Sequence, residues 1–324
     1  MQTRGRPFTY GMAGLLALPF VAACTPTPPA PEAPPTPAVA PALPPARPAQ
    51  PAVVAPSATS QALAQYYRRL QNDLLARNLL RTDGGPEVDI TDTILARNFI
   101  RIALYDEYAD LGSRFSPNTT ESRLRRWEQP VRYQMVFGQT VPRAQRNKDQ
   151  AEVSAYFGRL QNITGLQIEQ SDDPNYLVMF LGEDDRPGAA AQLRTFIPGI
   201  SESALLALMH PDRSTLCLVI AFADASSNYT YSRAVALIRA EHPDRMRSAC
   251  IHEELAQGLG LANDDVTVRP SIFNDSEEFA LLTLQDEMML KILYDRRLRP
   301  GMTIDQATPI VRQIATEIIS PPPV

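Results

Sequence analysis

The sequence contains few of the residues that mark several large classes of protein. Its 324 residues include only three cysteines, three histidines and one tryptophan, so a disulfide-rich scaffold is excluded. It has no block of basic residues, and a net charge of −5 at pH 7 makes nucleic acid an unfavourable partner. A Walker loop, a Gly-x-Gly-x-x-Gly fingerprint and a Gly-x-Ser-x-Gly elbow are also absent. What remains is an acidic chain of ordinary globular composition, 44% hydrophobic and 21% charged.

Residues 1–24 have the pattern of an export signal. Arg4 and Arg6 precede an apolar stretch at 12–23, which is shorter than the ~20 residues of a transmembrane helix. Val21-Ala22-Ala23-Cys24 resembles a bacterial lipobox, which implies a lipid on Cys24, palmitate included. Ordinary secretion with an incidental cysteine is the alternative. Thr25 follows the cysteine in place of aspartate, and by the same resemblance this favours an outer-membrane anchor with the domain facing the periplasm.

A proline-rich segment separates this signal from the rest of the chain. Residues 25–56 hold 13 of the 30 prolines, mixed mainly with alanine. Such a segment lacks the bulky apolar side chains that offset ordering entropy, and proline favours extended conformations. We therefore expect a disordered tether over 25–56, a single globular domain over 57–320 and a disordered tail over 321–324.

Within the domain, hydrophobic spacing predicts a mixed sheet packed by helices, an α/β (α+β) fold. Helices are expected at 57–80, 149–160 and 248–259, with two more that begin near Thr283 and Thr303. Strands are expected at 131–137, 176–181, 214–223 and 234–239. Residues 94–104 fit either a helix or a strand, and 182–188 is expected to be a polar loop. Trp127 is expected to anchor the core or its edge.

The segment 250–265 carries the most specific chemical pattern. His252 and Glu253 lie beside the stripe Ile251, Leu255 and Leu259 of the expected helix. Zinc peptidases present a metal ligand and a general base in this way. The second histidine of His-Glu-x-x-His is missing, since that position is Ala256.

Three consecutive features resemble the metzincin peptidases. His252-Glu253 and the Gly258–Leu261 stretch are similar to their zinc helix, His-Glu-x-x-His-x-x-Gly-Leu, which a third ligand follows. The stretch 270–273 resembles the segment of their methionine turn, with Phe273 in place of methionine, and Leu282-Thr283-x-x-Asp286 resembles their final helix. The resemblance covers about 214–295 and implies a metzincin-like architecture with a degenerate active-site helix. The full chain also resembles an uncharacterised family of proteobacterial lipoproteins, a domain of unknown function, which implies no activity.

The metzincin resemblance implies a set of zinc ligands. His252 is the first, and with one inserted residue Gln257 matches the second and Asn263 the third. Asp264 or Asp265 would add a carboxylate, and Glu253 would act as the general base. His242 is a possible substitute ligand upstream, whereas His210 is expected at the surface. Amide oxygens are poor zinc ligands beside imidazole and thiolate, so zinc is the possible cofactor but not an established one.

Three interpretations of this helix remain open. Glu253 and Glu254 can simply stabilise a first helical turn. The second interpretation is a zinc-dependent peptidase with His252 as ligand and Glu253 as base. The third is a non-catalytic cleft that binds a peptide, a glycan or another envelope protein. We expect a lipid-anchored envelope protein whose metallopeptidase-like domain is non-catalytic or non-standard.

The last expectation is a disulfide between Cys217 and Cys250. Once Cys24 carries lipid, these are the two remaining thiols, and an exported protein meets an oxidising environment. Cys217 lies on an expected central strand and Cys250 near the start of the helix that packs against it. The alternative is two separate buried cysteines that behave as small apolar residues.

Overall fold

The computed structural model describes residues 54–85, 88–110, 115–224 and 226–321. The expected signal at 1–24 and its Cys24 lie outside the described residues, as do nearly all of the tether and residues 322–324 of the tail. No described helix is both long enough and apolar enough to cross a membrane.

The described chain contains eight helices and seven strands. The helices are α1 (Ala58–Ala76), α2 (Asp92–Ala103), α3 (Arg143–Thr164), α4 (Arg186–Phe196), α5 (Glu202–Met209), α6 (Asp244–Gln257), α7 (Leu284–Leu293) and α8 (Ile304–Ile319). The strands are β1 (Tyr105–Asp110), β2 (Phe115–Glu121), β3 (Val131–Phe137), β4 (Ile168–Gln170), β5 (Tyr176–Leu181), β6 (Cys217–Asp224) and β7 (Ser227–Arg239).

A five-stranded mixed sheet forms the centre of the domain, which confirms the expected fold class. Its strand order is β4-β3-β5-β7-β6, while β1 and β2 form a separate antiparallel pair. The pairs β3–β4, β3–β5 and β5–β7 are parallel. β6 lies at one edge of the sheet and runs antiparallel to β7. The parallel strands need helical crossovers, and α3 supplies one between β3 and β4.

Both faces of the sheet are covered. Along β5, Tyr176, Val178 and Phe180 pack into the larger core with α2, α3, α6, α7 and α8, whereas the alternate residues pack into a smaller core with α4 and α5. All six residues of β5 are buried, because strands covered on both faces need apolar residues throughout. Trp127 is 1% exposed in the larger core, as expected.

The expected elements are found, with several boundaries moved. Residues 131–137 and 176–181 form β3 and β5 as predicted, and 92–103 is a helix. The expected loop at 182–188 is wrong at its end, since α4 begins at Arg186 with Pro187 in its first turn. Proline suits that place because its missing N–H would have no partner there. α6 begins at Asp244, four residues before its expected start.

The disulfide between Cys217 and Cys250 is confirmed. It joins edge strand β6 to α6 across 33 residues of sequence, with the two Cα atoms 5.7 Å apart. Closing a loop of this length stabilises a fold by roughly 3–4 kcal/mol in the chain-entropy model. The bond therefore holds β6 beside the helix that carries His252 and Glu253.

Candidate functional site

A cavity of about 570 Å³ lies between β6 and α6. Ten consecutive residues, 214–223, form one wall, so β6 lines the cavity for nearly its whole length. The side chains of β6 are half-buried from Cys217 to Phe222. Since β6 has a strand partner on one side only, this wall is a sheet edge.

One face of α6 forms the opposite wall. Glu253, Glu254 and Gln257 line the cavity, and Cys250 is bonded to β6. These four positions are spaced i, i+3, i+4 and i+7, which places them on a single helical face. The cavity-facing side of the helix is therefore polar and mainly acidic.

The cavity is rich in carboxyl groups. Asp264, Asp275 and Glu277 join Glu253 and Glu254 in its lining, and its one described arginine, Arg125, forms an ion pair with Asp106. Burial raises the pKa of the Glu277 carboxyl, and the neighbouring Asp275 raises it further. Burial followed by the charge of Asp265 raises the pKa of Asp275. Raised carboxyl pKa values mean that a cation placed here would relieve unfavourable charge.

His252 faces away from this cavity. Its ring stacks on Tyr156 of α3 with centroids 3.9 Å apart, and its Nδ1 accepts a hydrogen bond from the Leu282 backbone N–H at 3.1 Å. The side chain is 8% exposed and does not line the cavity. Burial lowers the pKa of His252 to about 3, with a smaller effect of Arg159, so the ring is neutral. Because Nδ1 accepts, the proton is assigned to Nε2, which leaves neither nitrogen free to bind a metal in this arrangement.

The other expected ligands also lie in different parts of the structure. Gln257 donates from Nε2 to Asp264 Oδ1 at 2.9 Å, and both residues line the cavity. Asn263 is 1% exposed and donates from Nδ2 to the Arg101 carbonyl oxygen at 2.9 Å. The structure thus brings Glu253, Gln257 and Asp264 to the cavity but not His252 or Asn263.

A family comparison matches residues 92–313 of the chain to a protein of unknown function (DUF2927). The chain belongs to the DUF2927 family. The matched segment begins at the first residue of α2 and ends within α8, so it includes the whole sheet and the cavity. No curated protein matches the chain.

The placement of α6 in this DUF2927 domain is compatible with a different register of the expected metzincin pattern. When Glu253 takes the first position of His-Glu-x-x-His-x-x-Gly-Leu, Glu254 takes the second, Gln257 the fifth and Gly260-Leu261 the last two. No inserted residue is then needed, and Asn263 follows three residues after Gly260. His252 was expected at the first position because that position is a histidine in the pattern. The residue that faces the cavity is the next one, Glu253.

The residues at these positions do not fit a catalytic zinc ion. They are two carboxylates and an amide, while zinc sites of this class rely on imidazole nitrogen. In the described part of the chain, Cys217, Glu253 and Glu254 have ligand atoms within 4.8 Å of one another, but the Cys217 sulfur is committed to the disulfide. The residues at the metzincin positions therefore do not support a metal-dependent reaction.

The Gly-Leu-Gly stretch after α6 has a packing explanation in the DUF2927 domain. A Cβ atom on Gly258 would lie 2.1 Å from the Tyr176 hydroxyl oxygen. Gly260 has φ of +127°, and a Cβ there would lie 2.4 Å from the Arg125 carbonyl oxygen. The Gly258 carbonyl accepts a hydrogen bond from Trp127 Nε1 at 2.8 Å. These glycines let the chain turn against the core.

Sequence reasoning missed two parts of the site. Asp275 and Glu277 come shortly after the 270–273 stretch, where nothing in their local pattern indicates a cavity. His242 was considered only as a substitute ligand, and the structure places its Nδ1 3.6 Å from Cys250 Sγ. Their nearness to α6 depends on tertiary packing, which no local spacing encodes.

Proposed function

We propose that the domain is a non-catalytic binding module whose cavity holds an extended, basic peptide segment. The observation that carries this is the position of β6, an edge strand that lines the cavity over residues 214–223. Edge strands present unpaired backbone N–H and C=O groups, to which an extended peptide can add as a further strand. A peptide suits this wall better than a glycan because its backbone repeats at the spacing of the strand.

The charge of the cavity selects the peptide's side chains. Six carboxyl groups line it, and one of them, Asp106, forms an ion pair with the one described arginine of the lining, Arg125. Complementary charge speeds encounter and rejects partners of the wrong sign. Lysine or arginine side chains that project from every second residue of an added strand would meet Glu253, Glu254 and Asp264 on one side.

We further propose that the domain has a metzincin-like architecture that has lost its metal. The support is the in-register match from Glu253 to Leu261, together with a mixed sheet whose antiparallel edge strand faces the motif helix. The peptidase alternative, with His252 as ligand and Glu253 as base, has weaker support, since the two side chains face different neighbours.

Peptide binding can be measured with a fluorescent peptide of about ten residues that alternates valine and lysine, a length that pairs with a strand of this size. We expect binding that weakens as salt rises, because screening reduces charge attraction. The double variant Glu253→Gln/Asp264→Asn should bind on the order of tenfold more weakly, since each exposed ion pair contributes up to ~1 kcal/mol.

The matched control is Glu169→Gln, an exposed acid on β4 at the other edge of the sheet, which should leave the affinity unchanged. A peptide with glutamate in place of lysine should not bind. Equal affinity of the wild type and the double variant, or equal affinity for both peptides, would contradict the proposed basic specificity.

We also propose that a lipid on Cys24 holds this domain at the outer membrane, in the periplasm. The support is the small-residue stretch before Cys24 and the proline-rich segment behind it. Replacing Cys24 by serine should leave the protein unlipidated and move it out of the membrane fraction. Mass spectrometry of the mature chain and membrane fractionation measure this, and an unchanged mass and distribution of the variant would argue against the anchor.

A further inference from the structure

We propose that reduction of the disulfide creates a zinc site from the Cys217 and Cys250 thiolates, the His242 imidazole and the Glu253 carboxylate. This site shares Glu253 with the metzincin pattern but takes its sulfur and imidazole ligands from outside that pattern, and it goes beyond peptide binding. In the oxidised protein the two sulfur atoms are bonded to each other and cannot act as thiolate ligands.

Two donor pairs are close in the oxidised protein, and the disulfide joins one pair to the other. His242 Nδ1 lies 3.6 Å from Cys250 Sγ, and Glu253 Oε2 lies 4.0 Å from Cys217 Sγ. With Zn–S bonds near 2.3 Å and Zn–N or Zn–O bonds near 2.0 Å, neighbouring ligand atoms of a tetrahedron are roughly 3.5–3.8 Å apart. Each sulfur atom therefore already has a second donor at nearly the separation that zinc requires.

The surroundings hold these donors and leave a path for the ion. His242 is 4% exposed, and its ring packs edge-on against Tyr67 with centroids 4.5 Å apart. Cys250 is 2% exposed on α6. Cys217 and Glu253 line the cavity, so zinc can reach the site from solvent through it.

A dithiol is the reductant in this step. The dithiol gives two electrons to the disulfide and becomes a disulfide itself, while Cys217 and Cys250 become thiols. Zinc then replaces the two thiol protons, which are released to solvent. Two thiolates and one carboxylate surround the divalent ion, and the imidazole binds through Nδ1 without a charge.

The test uses the full chain with Cys24→Ser, which removes the third thiol. Zinc is added to the oxidised and the dithiol-reduced protein in competition with a chromophoric chelator. We expect one zinc ion per chain after reduction and none before it. Cobalt in place of zinc should give the near-ultraviolet absorption of a thiolate–cobalt bond in the reduced protein only.

Two variants distinguish zinc binding by the proposed ligands from other effects of losing the disulfide. Cys217→Ser/Cys250→Ser lacks both the bond and the thiolates, and it should not bind zinc. His242→Asn, after reduction, should bind roughly 100-fold more weakly, the upper end of what losing even an outer-shell partner costs.

The proposal can be tested even if reduction of the disulfide unfolds the domain. Zinc should then restore the folded circular dichroism spectrum of the reduced protein but not that of the double serine variant. If the reduced protein neither takes up stoichiometric zinc nor gains thermal stability from it, the proposal is overturned. Equal zinc binding by the double serine variant would overturn it as well.

Discussion

Lowering the pH from 7 to 4 should destabilise the wild-type protein by roughly 3 kcal/mol more than a His252→Asn variant. Burial, with a smaller effect of Arg159, lowers the pKa of His252 from 6.5 to about 3 in the folded protein. In the unfolded chain the imidazole takes up a proton near pH 6.5, so acid favours unfolding. The difference between 6.5 and about 3, at ~1.4 kcal/mol per pH unit, gives a total of roughly 5 kcal/mol.

The direction of this change in stability with pH follows from the protonation states of His252 in the folded and unfolded protein. The stabilisation from neutral His252 is fully present above pH 6.5 and is lost progressively as the pH falls towards 3. Asparagine has no titrating group, and its Oδ1 can accept the Leu282 N–H bond in place of Nδ1. Buried His242 and Asp149 also change protonation behaviour on folding, but they are present in both proteins and cancel in the comparison.

Urea unfolding at pH 7, 6, 5 and 4 measures this difference. The control is His210→Asn, which replaces an exposed histidine at the end of α5. Parallel stability curves for the wild type and His252→Asn would show that His252 is not held neutral by the fold.

Much of the scaffold could be predicted from local pattern. The six apolar residues of β5 and the aromatic and branched residues of β3 gave both strands their observed bounds. Thr283 with Asp286 three residues later has the spacing of a capping box, and the structure shows that box at the start of α7. Counting the thiols that remain after Cys24 predicted the disulfide. Each of these depends on short-range spacing or on simple pairing.

The orientation of α6 could not be predicted in the same way. Nearly every residue of α6 after Ala249 is buried, so hydrophobic spacing does not show which face meets the sheet edge. The disulfide at Cys250 decides this, because it sets Glu253 towards β6 and His252 towards Tyr156. Similarly, α4 and α5 cover the second face of the sheet, but they are short and their sequence around Pro187 and Gly188 is typical of a loop.

Asp286 lies at the centre of a buried polar network that joins the 270–273 segment to α7. Its Oδ1 accepts from the Ser271 hydroxyl at 2.6 Å. Its Oδ2 accepts from the backbone N–H groups of Ile272 and Thr283 at 3.1 and 2.8 Å, and from the Thr283 hydroxyl at 2.8 Å. Asp286, Ser271 and Thr283 are each 0% exposed, so water cannot replace any of these bonds.

Asp286→Ala should be less stable than Asp286→Asn by roughly 3–5 kcal/mol, because two buried backbone N–H groups lose their acceptor at ~1–3 kcal/mol each and a small cavity is left. Both substitutions remove the charge, so the difference in stability between them reports the hydrogen bonds together with the cavity. Asparagine can keep its oxygen at the Oδ2 position, and its Nδ2 can donate to Ser271. Urea unfolding at pH 7 compares the two variants, and equal stabilities would mean that the network adds little to the fold.

The pH dependence of stability separates the effect of the Asp286 charge from the effect of the hydrogen bonds that Asp286 accepts. Burial raises the pKa of Asp286 from 3.8 to about 6, although the hydrogen bonds from Ser271, Thr283 and Ile272 oppose this. A raised carboxyl pKa means that the folded protein takes up a proton before the unfolded chain does, so stability falls as the pH rises through 6. Going from pH 8 to pH 5 should therefore stabilise the wild type by roughly 1 kcal/mol relative to Asp286→Asn. A wild type that instead loses stability relative to this variant would show that the four donors keep Asp286 ionised despite its burial.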